Sequence, residues 1–376
     1  MKSIIIAPDS FKGSISAADA AEAIARGISA ACPDYIIKKL PIADGGEGTL
    51  DAIVPQQERS RADILNTYLA PIRAEFGVLG GTAVIESARA VGLELTPPSE
   101  RRLSRSTSFG VGQLITAALD GGHRSILLTV GGTGSNDGGA GMLEALGAAF
   151  YDTEGRRMRG IHAGELASIA KIDISGLDAR LYDTEITIAC DVKNPLLGRT
   201  GATYVYGPQK GAEAGELALL DGGMQSYADI LAATLGADAR HAAGAGAGGG
   251  IPYPLISIFG AHVTRGIDAV LDALSFDALL CDAALVVTGE GQIDAQTGCG
   301  KAISGVASRA DARGVPVLAL AGRFIGDTED ARLPGLSAVR TLAELTEDTE
   351  YSIRHAAELL ERLAPIAVRD VLGAGM

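Results

Sequence analysis

Acids recur beside glycines at four points of this chain, PDSFKG (8–13), ADGGEGT (43–49), GGTGSNDGG (131–139) and GEGQID (289–294), the first of which also holds Lys12. A fifth cluster, DVKNP (191–195), sets an acid, a lysine and an amide side by side. Glycine lets backbone N–H groups close on phosphate oxygens, and neighbouring carboxylates can hold a metal ion. Lysines inside such loops supply the charge that a phosphate chain needs. The pattern points to a site for a metal-bound nucleotide.

Each of these segments follows a short apolar run. IIIA (4–7), ILLTV (126–130), ITIAC (186–190) and ALVVT (284–288) lead directly into four of them, and YIIKKLPI leads into the loop at 43–49. Runs of this kind read as parallel strands whose carboxyl-end loops build a site. Helical patterns alternate with them. SISAADAAEAIARGISAA begins with a Ser-x-x-Asp pair, Ser16 and Asp19, resembling a capping box. SFGVGQLITAALDGG, GELALLDGGMQSYADILAATLG, KAISGVASRADARG and the closing YSIRHAAELLERLAPIAVRDVL also carry helical spacing. Alternation of strand and helix predicts an α/β fold with mainly parallel sheets.

The 376 residues suit two domains, each with a substantial core. Polar breaks at 55–75, 97–107 and 242–250 suggest that residues 1–75 pair with 265–376 in one discontinuous domain. Residues 76–264 then form a second, with the ligand cleft between the two. Aromatic residues are only 4% of the chain and Trp is absent, so the cores must be aliphatic.

The net charge of −14 and the lack of a basic, aromatic-interleaved stripe argue against nucleic-acid binding. An acidic protein that binds an anionic nucleotide must gather its cations locally and recruit a divalent ion. Four cysteines, at 32, 190, 281 and 299, show no paired spacing, and no apolar stretch is long enough to span a bilayer. A reduced, cytoplasmic protein without membrane contact is the expectation, and association with a second copy of the chain stays open.

Familiar fingerprints fail. GCGKA (298–302) places Ala302 where a P-loop needs Ser or Thr, and Ala295 where it needs glycine. Gly244, Gly246 and Gly249 satisfy a dinucleotide pattern, but helix-like sequence precedes them where a strand is required. The five histidines lack metal-ligand spacing, and there is no nucleophile elbow or protein-kinase signature.

In order along the chain, APDSFKGSISA, PIADGGEGT, GGTGSNDGGAGMLEALGA, CDVKNPLLGRTGATYVYGPQKGA and VTGEGQIDAQTGCGK resemble the signature segments of the bacterial glycerate kinases of glucarate, galactarate and glyoxylate catabolism. The resemblance runs from residue 1 into the 320s and continues more weakly to the end. Where that family usually reads GGSATNDGG, this chain has Thr133, Gly134 and Ser135 at the varied places. The resemblance implies ATP-dependent, Mg²⁺-assisted phosphorylation of D-glycerate, usually at the 2-hydroxyl, giving 2-phosphoglycerate and ADP. It also implies two α/β domains, one of them Rossmann-like. Transfer to the 3-hydroxyl, a nicotinamide-dependent hydroxy-acid oxidoreductase and a non-catalytic hydroxy-acid binding protein are the alternatives.

Phosphoryl transfer needs charge neutralisation, a metal ion and a group that orients or deprotonates the attacking hydroxyl. Asp191, with Lys193 and Asn194 behind it, suits a general base at a strand end, against the plainer reading of a helix-cap or turn aspartate. Ser10 and Lys12 are expected on the glycerate carboxylate, Asp44 on a hydroxyl, and Glu47 on a hydroxyl or the metal; Arg73, Arg89 and Arg105 are rivals for the carboxylate. Asp44 could instead cap a helix beginning near Gly46. Gly131, Gly132, Thr133, Ser135, Gly289, Gly291 and Lys301 are expected on the nucleotide. Asn136, Asp137, Glu290 and Asp294 are the candidate metal ligands.

Overall fold

A computed structural model describes residues 2–294, 301–325 and 334–373. In chain order its strands are β1 (Ser3–Pro8), β2 (Ile36–Lys39), β3 (Arg59–Leu65), β4 (Pro71–Leu79), β5 (Thr82–Glu86), β6 (Ser125–Thr129), β7 (Ala149–Tyr151), β8 (Arg157–Met158), β9 (Lys171–Asp173), β10 (Glu185–Ala189), β11 (His262–Thr264), β12 (Ala283–Asp294), β13 (Val317–Ile325) and β14 (Ala338–Thr341). The fold is mixed α/β with mainly parallel sheets. It divides into two compact units, one of residues 1–44, 51–53 and 270–376, the other of 45–50 and 54–269.

The first unit is a five-stranded sheet in the order β14-β13-β12-β1-β2, parallel throughout. Ile4, Ile5 and Ile6 of β1 are fully buried, as a central parallel strand covered on both faces requires. The helix Ala17–Ala31 starts at Ser16, whose Oγ accepts from Asp19 N at 3.1 Å, so the expected cap is present. It and the closing helix Ala356–Gly373 fill one core with Ile24, Ile28, Leu359, Leu360 and Leu363. At Gly27 the two backbones come close, since a Cβ there would stand 2.2 Å from the Glu361 carbonyl oxygen.

From β1 the chain crosses to β2 on one side, and from β12 to β13 and then β14 on the other. The strand order therefore reverses between β1 and β12. Ligands of open α/β sheets bind outside the carboxyl ends of the strands at such a switch point.

The second unit carries a six-stranded sheet, β11-β10-β6-β5-β4-β3. β5, β6, β10 and β11 run parallel, while β3, β4 and β5 pair antiparallel. Residues 59–79, which span part of the polar break expected to end the first domain, are thus two strands of this sheet. Their charged side chains pair across the exposed ladder, as Arg73 does with Asp63 at 2.9 Å, and that hides the strand pattern in sequence. A small antiparallel sheet, β8-β7-β9, and the helices Phe109–Asp120 and Leu217–Leu235 complete the unit around Leu128, Leu143, Phe150 and Tyr227.

Candidate functional site

At the switch point of the first unit lies a cavity of about 600 Å³. Its lining gathers the segment after β1 (Asp9, Ser10, Lys12), Asp44 from beyond β2, Glu290 and Gly291 of β12, Lys301 of the helix Lys301–Asp311, and Arg323 of β13. Six residues expected at the site from sequence, Ser10, Lys12, Asp44, Glu290, Gly291 and Lys301, therefore meet in one hollow. The backbone explains why. Asp9 N donates to Gly289 O at 2.8 Å and Ile42 N to Pro8 O at 3.0 Å, so both loops leave from the same strand ends.

Gly289, expected on the nucleotide, does different work. It is buried between β1 and β13, and a Cβ there would meet the Leu320 carbonyl oxygen at 2.2 Å. Arg323 Nε donates to Gln292 Oε1 at 2.7 Å, bridging β12 and β13 where they extend past β1. Asp294 ends β12, but its side chain lies outside the described residues.

The sequence does not single out Asp9. Its carboxylate lines the cavity and Oδ1 accepts from Ser10 N at 2.6 Å. Burial pushes its pKa up from 3.8 to about 6; the bond from Ser10 N–H opposes the rise, the Asp44 charge adds to it and Lys12 opposes it. An aspartate directly after Pro8 reads in sequence as a turn residue. Only its position at the end of a buried central strand marks it.

The remaining expected residues belong to the second unit. Glu47 lies against the glycine loop, since a Cβ on Gly132 would stand 3.0 Å from Glu47 Oε2 and one on Gly131 would stand 3.2 Å from Gly46 Cα. Gly132 takes a positive φ of 69° and is exposed beside that carboxylate, while its carbonyl accepts from Leu93 N at 2.7 Å. Asp191 follows β10, and its Oδ1 accepts at 2.9 Å from N of Gly266, the first residue of the helix Gly266–Ala273. That contact fits the helix-cap reading of Asp191. Lys193 is exposed. Asn194 is committed to its own loop, with Nδ2 donating to Thr200 O at 2.8 Å and Oδ1 accepting from Tyr206 OH at 2.7 Å.

The tail of the glycine loop turns inward. Asp137, a candidate metal ligand in sequence, is fully buried and accepts from Ser108 N (2.7 Å), Ser108 Oγ (2.8 Å), Gly141 N (3.0 Å) and Gly139 N (3.1 Å). Burial raises its pKa and these donors oppose the rise. Asn136 is buried too, its Nδ2 donating to Thr203 Oγ1 at 2.9 Å. Both pin the loop to the core and neither is open to an ion. Thr133 and Ser135 are likewise buried, and Ser135 O accepts from Lys210 Nζ at 2.8 Å. Lys210 is itself buried, which pulls its pKa down to about 7.

The helix Thr49–Ile53 has Gly48 at its cap position and no side-chain cap from its own sequence. Glu86, at the end of β5, accepts from Gly48 N at 2.9 Å and Leu50 N at 3.1 Å instead. The cap on these two N–H groups comes from Glu86, 37 residues beyond the start of the helix.

Among the described residues no group of three or more His, Cys, Asp or Glu side chains stands at metal-holding spacing. A Mg²⁺ ion held jointly with substrate phosphates needs only one or two carboxylates. Glu290 in the cavity beside Lys301 meets that requirement. No helix among the described residues is long and apolar enough to cross a membrane.

Comparison with known proteins agrees with the motifs. The model of the glycerate kinase family matches residues 4–372. A glycerate kinase of Bacillus subtilis is 45% identical over 96% of this chain and 95% of its own length. A glycerate 2-kinase of Escherichia coli is 42% identical over 89% of each. A crystal structure from Salmonella typhimurium LT2, assigned as a glycerate kinase 2, superposes with a TM-score of 0.88 at 41% identity, covering 100% of this chain and 99% of the other. The chain belongs to the glycerate kinase family.

Proposed function

We propose that the protein transfers the γ-phosphoryl group of ATP to the 2-hydroxyl of D-glycerate, giving 2-phosphoglycerate and ADP. The observation that carries this reading is the switch-point cavity, which gathers three cations and four carboxylates in one hollow. Its volume of about 600 Å³ exceeds what a three-carbon acid fills and leaves room for a phosphate chain. The 2-hydroxyl is preferred because the Escherichia coli relative is named a glycerate 2-kinase.

Ser10 and Lys12 hold the glycerate carboxylate, and Asp44 accepts from a hydroxyl. Lys301 takes the phosphate chain where its own charge and the positive end of the helix Lys301–Asp311 act together. Mg²⁺, when bound at Glu290, offsets phosphate charge. Because a loose phosphoryl-transfer transition state leaves little covalent work to the protein, holding charge and position supplies most of the acceleration.

A coupled assay for ADP release tests this, with D-glycerate, L-glycerate and glycolate, and product analysis separates 2- from 3-phosphoglycerate. D-glycerate-dependent ADP release that stops with EDTA and returns with Mg²⁺ is expected. Metal-independent turnover, or 3-phosphoglycerate as product, would overturn the corresponding part. Nicotinamide absorbance change in place of ADP would sink the whole.

A further inference from the structure

We propose that Asp9 takes the proton of the attacking hydroxyl, so that the base of the reaction stands at the end of β1 and not at Asp191. The inference deepens the reading above and rests on it. Asp9 lines the cavity at the strand-order reversal, where the backbone bond from Asp9 N to Gly289 O fixes its Cα between β1 and β12. Ser10 N–H holds one carboxylate oxygen at 2.6 Å, which sets the side chain's orientation before substrate arrives. Asp191, by contrast, spends an oxygen on the first N–H of the helix Gly266–Ala273.

The charged groups lining the same cavity are Lys12, Asp44, Glu290, Lys301, Arg323 and Glu347. Asp44 and burial both disfavour the ionised form of Asp9, so its carboxylate is a stronger base than a solvated one. Proton transfer is most effective when the acceptor's pKa approaches the working pH. In the step, the hydroxyl O–H bond breaks and its proton passes to Asp9. The freed electron pair forms the new O–P bond to the γ-phosphorus. The bond from that phosphorus to the bridging oxygen breaks, and its pair leaves on ADP.

Asp9→Asn, Asp9→Glu and Asp191→Asn variants of the full chain, assayed for glycerate-dependent ADP release, decide the matter. Asp9→Asn should lower kcat about 100-fold or more with KM for glycerate changed only a few-fold, and Asp9→Glu should recover part of the loss. Asp191→Asn should stay within a few-fold of wild type. Wild-type kcat should fall as pH drops through about 6, and the residual Asp9→Asn rate should lose that limb. Near-wild-type turnover by Asp9→Asn, or the larger loss in Asp191→Asn, overturns the proposal. Should Asp9→Asn not fold, the wild-type profile decides: an acidic limb near pH 6 supports the proposal and a flat profile from about pH 5 to 8 overturns it. An inactive wild type overturns the glycerate reading itself, whereas an active wild type with an active Asp9→Asn overturns only the role of Asp9.

Discussion

Lys210 and Asp9 show how burial changes what one ionisable side chain does. Lys210 is 4% exposed, and its ammonium donates to the carbonyl of Ser135. Desolvation pulls its pKa from 10.5 to about 7, with the Asp137 charge opposing the fall. The unfolded chain therefore binds this proton more tightly than the folded one. The resulting stability is present above pH 10.5 and is lost as pH falls through about 7. Lys210→Met, which keeps the length of the side chain and removes its charge, should flatten that rise in urea-unfolding midpoints measured across the interval. A slope unchanged from wild type would mean that Lys210 is charged in the fold at all these pH values. Asp9 has the opposite sign. Its raised folded pKa gives a contribution that is complete below about pH 3.8 and lost as pH climbs through about 6. A carboxylate kept at the end of β1 against that cost is consistent with a role in the reaction.

At the scale of elements, the glycine loop 131–139 has two parts with different surroundings. Gly132, its second residue, is exposed beside Glu47, while Asp137 is sunk among the amides of Ser108, Gly139 and Gly141. One side chain thus joins the loop to the starts of the helices Phe109–Asp120 and Ala140–Ala145. Asp137→Ala leaves three buried N–H groups without their acceptor, each worth about 1–3 kcal/mol, and should destabilise the fold by about 3–5 kcal/mol. Denaturant unfolding measures this directly, and a loss below about 1 kcal/mol would show that water replaces the carboxylate. The loop's sequence offers acids and amides in a row and does not separate the inward from the outward ones. That separation follows from the path of the backbone, which carries Gly138 N to Gly249 O and Asn136 N to Ser106 Oγ.

For the whole molecule, a chain with 4% aromatic residues builds a separate, chiefly aliphatic core in each unit. Leu128 of β6 is fully buried in the core of the second unit and lines no part of the switch-point cavity. Leu128→Ala should cost about 2–5 kcal/mol in stability, while KM for glycerate, measured well below the unfolding transition, stays at the wild-type value. A raised KM without loss of stability would contradict this division of labour.

Much of this was legible in the residues alone. Apolar runs ending in glycine and acid identified strand ends, because a buried parallel strand must be continuously apolar and its exit must turn sharply. β1, β6, β10 and β12 lie where those runs predict them, and the ordered motifs carried the family. What tertiary structure alone decided was which polar side chains face a cavity and which are consumed as supports. Asp137, Asn136 and Asn194 have the composition of ligands and the partners of scaffold residues. Asp9 resembles a turn residue and lines the cavity, and Glu86 caps a helix far from it in sequence. Burial and hydrogen-bond partners are set by segments that meet only when the sheet is assembled. Local sequence can announce the chemistry of a loop, but the assembled strand order determines which residue of it performs that chemistry.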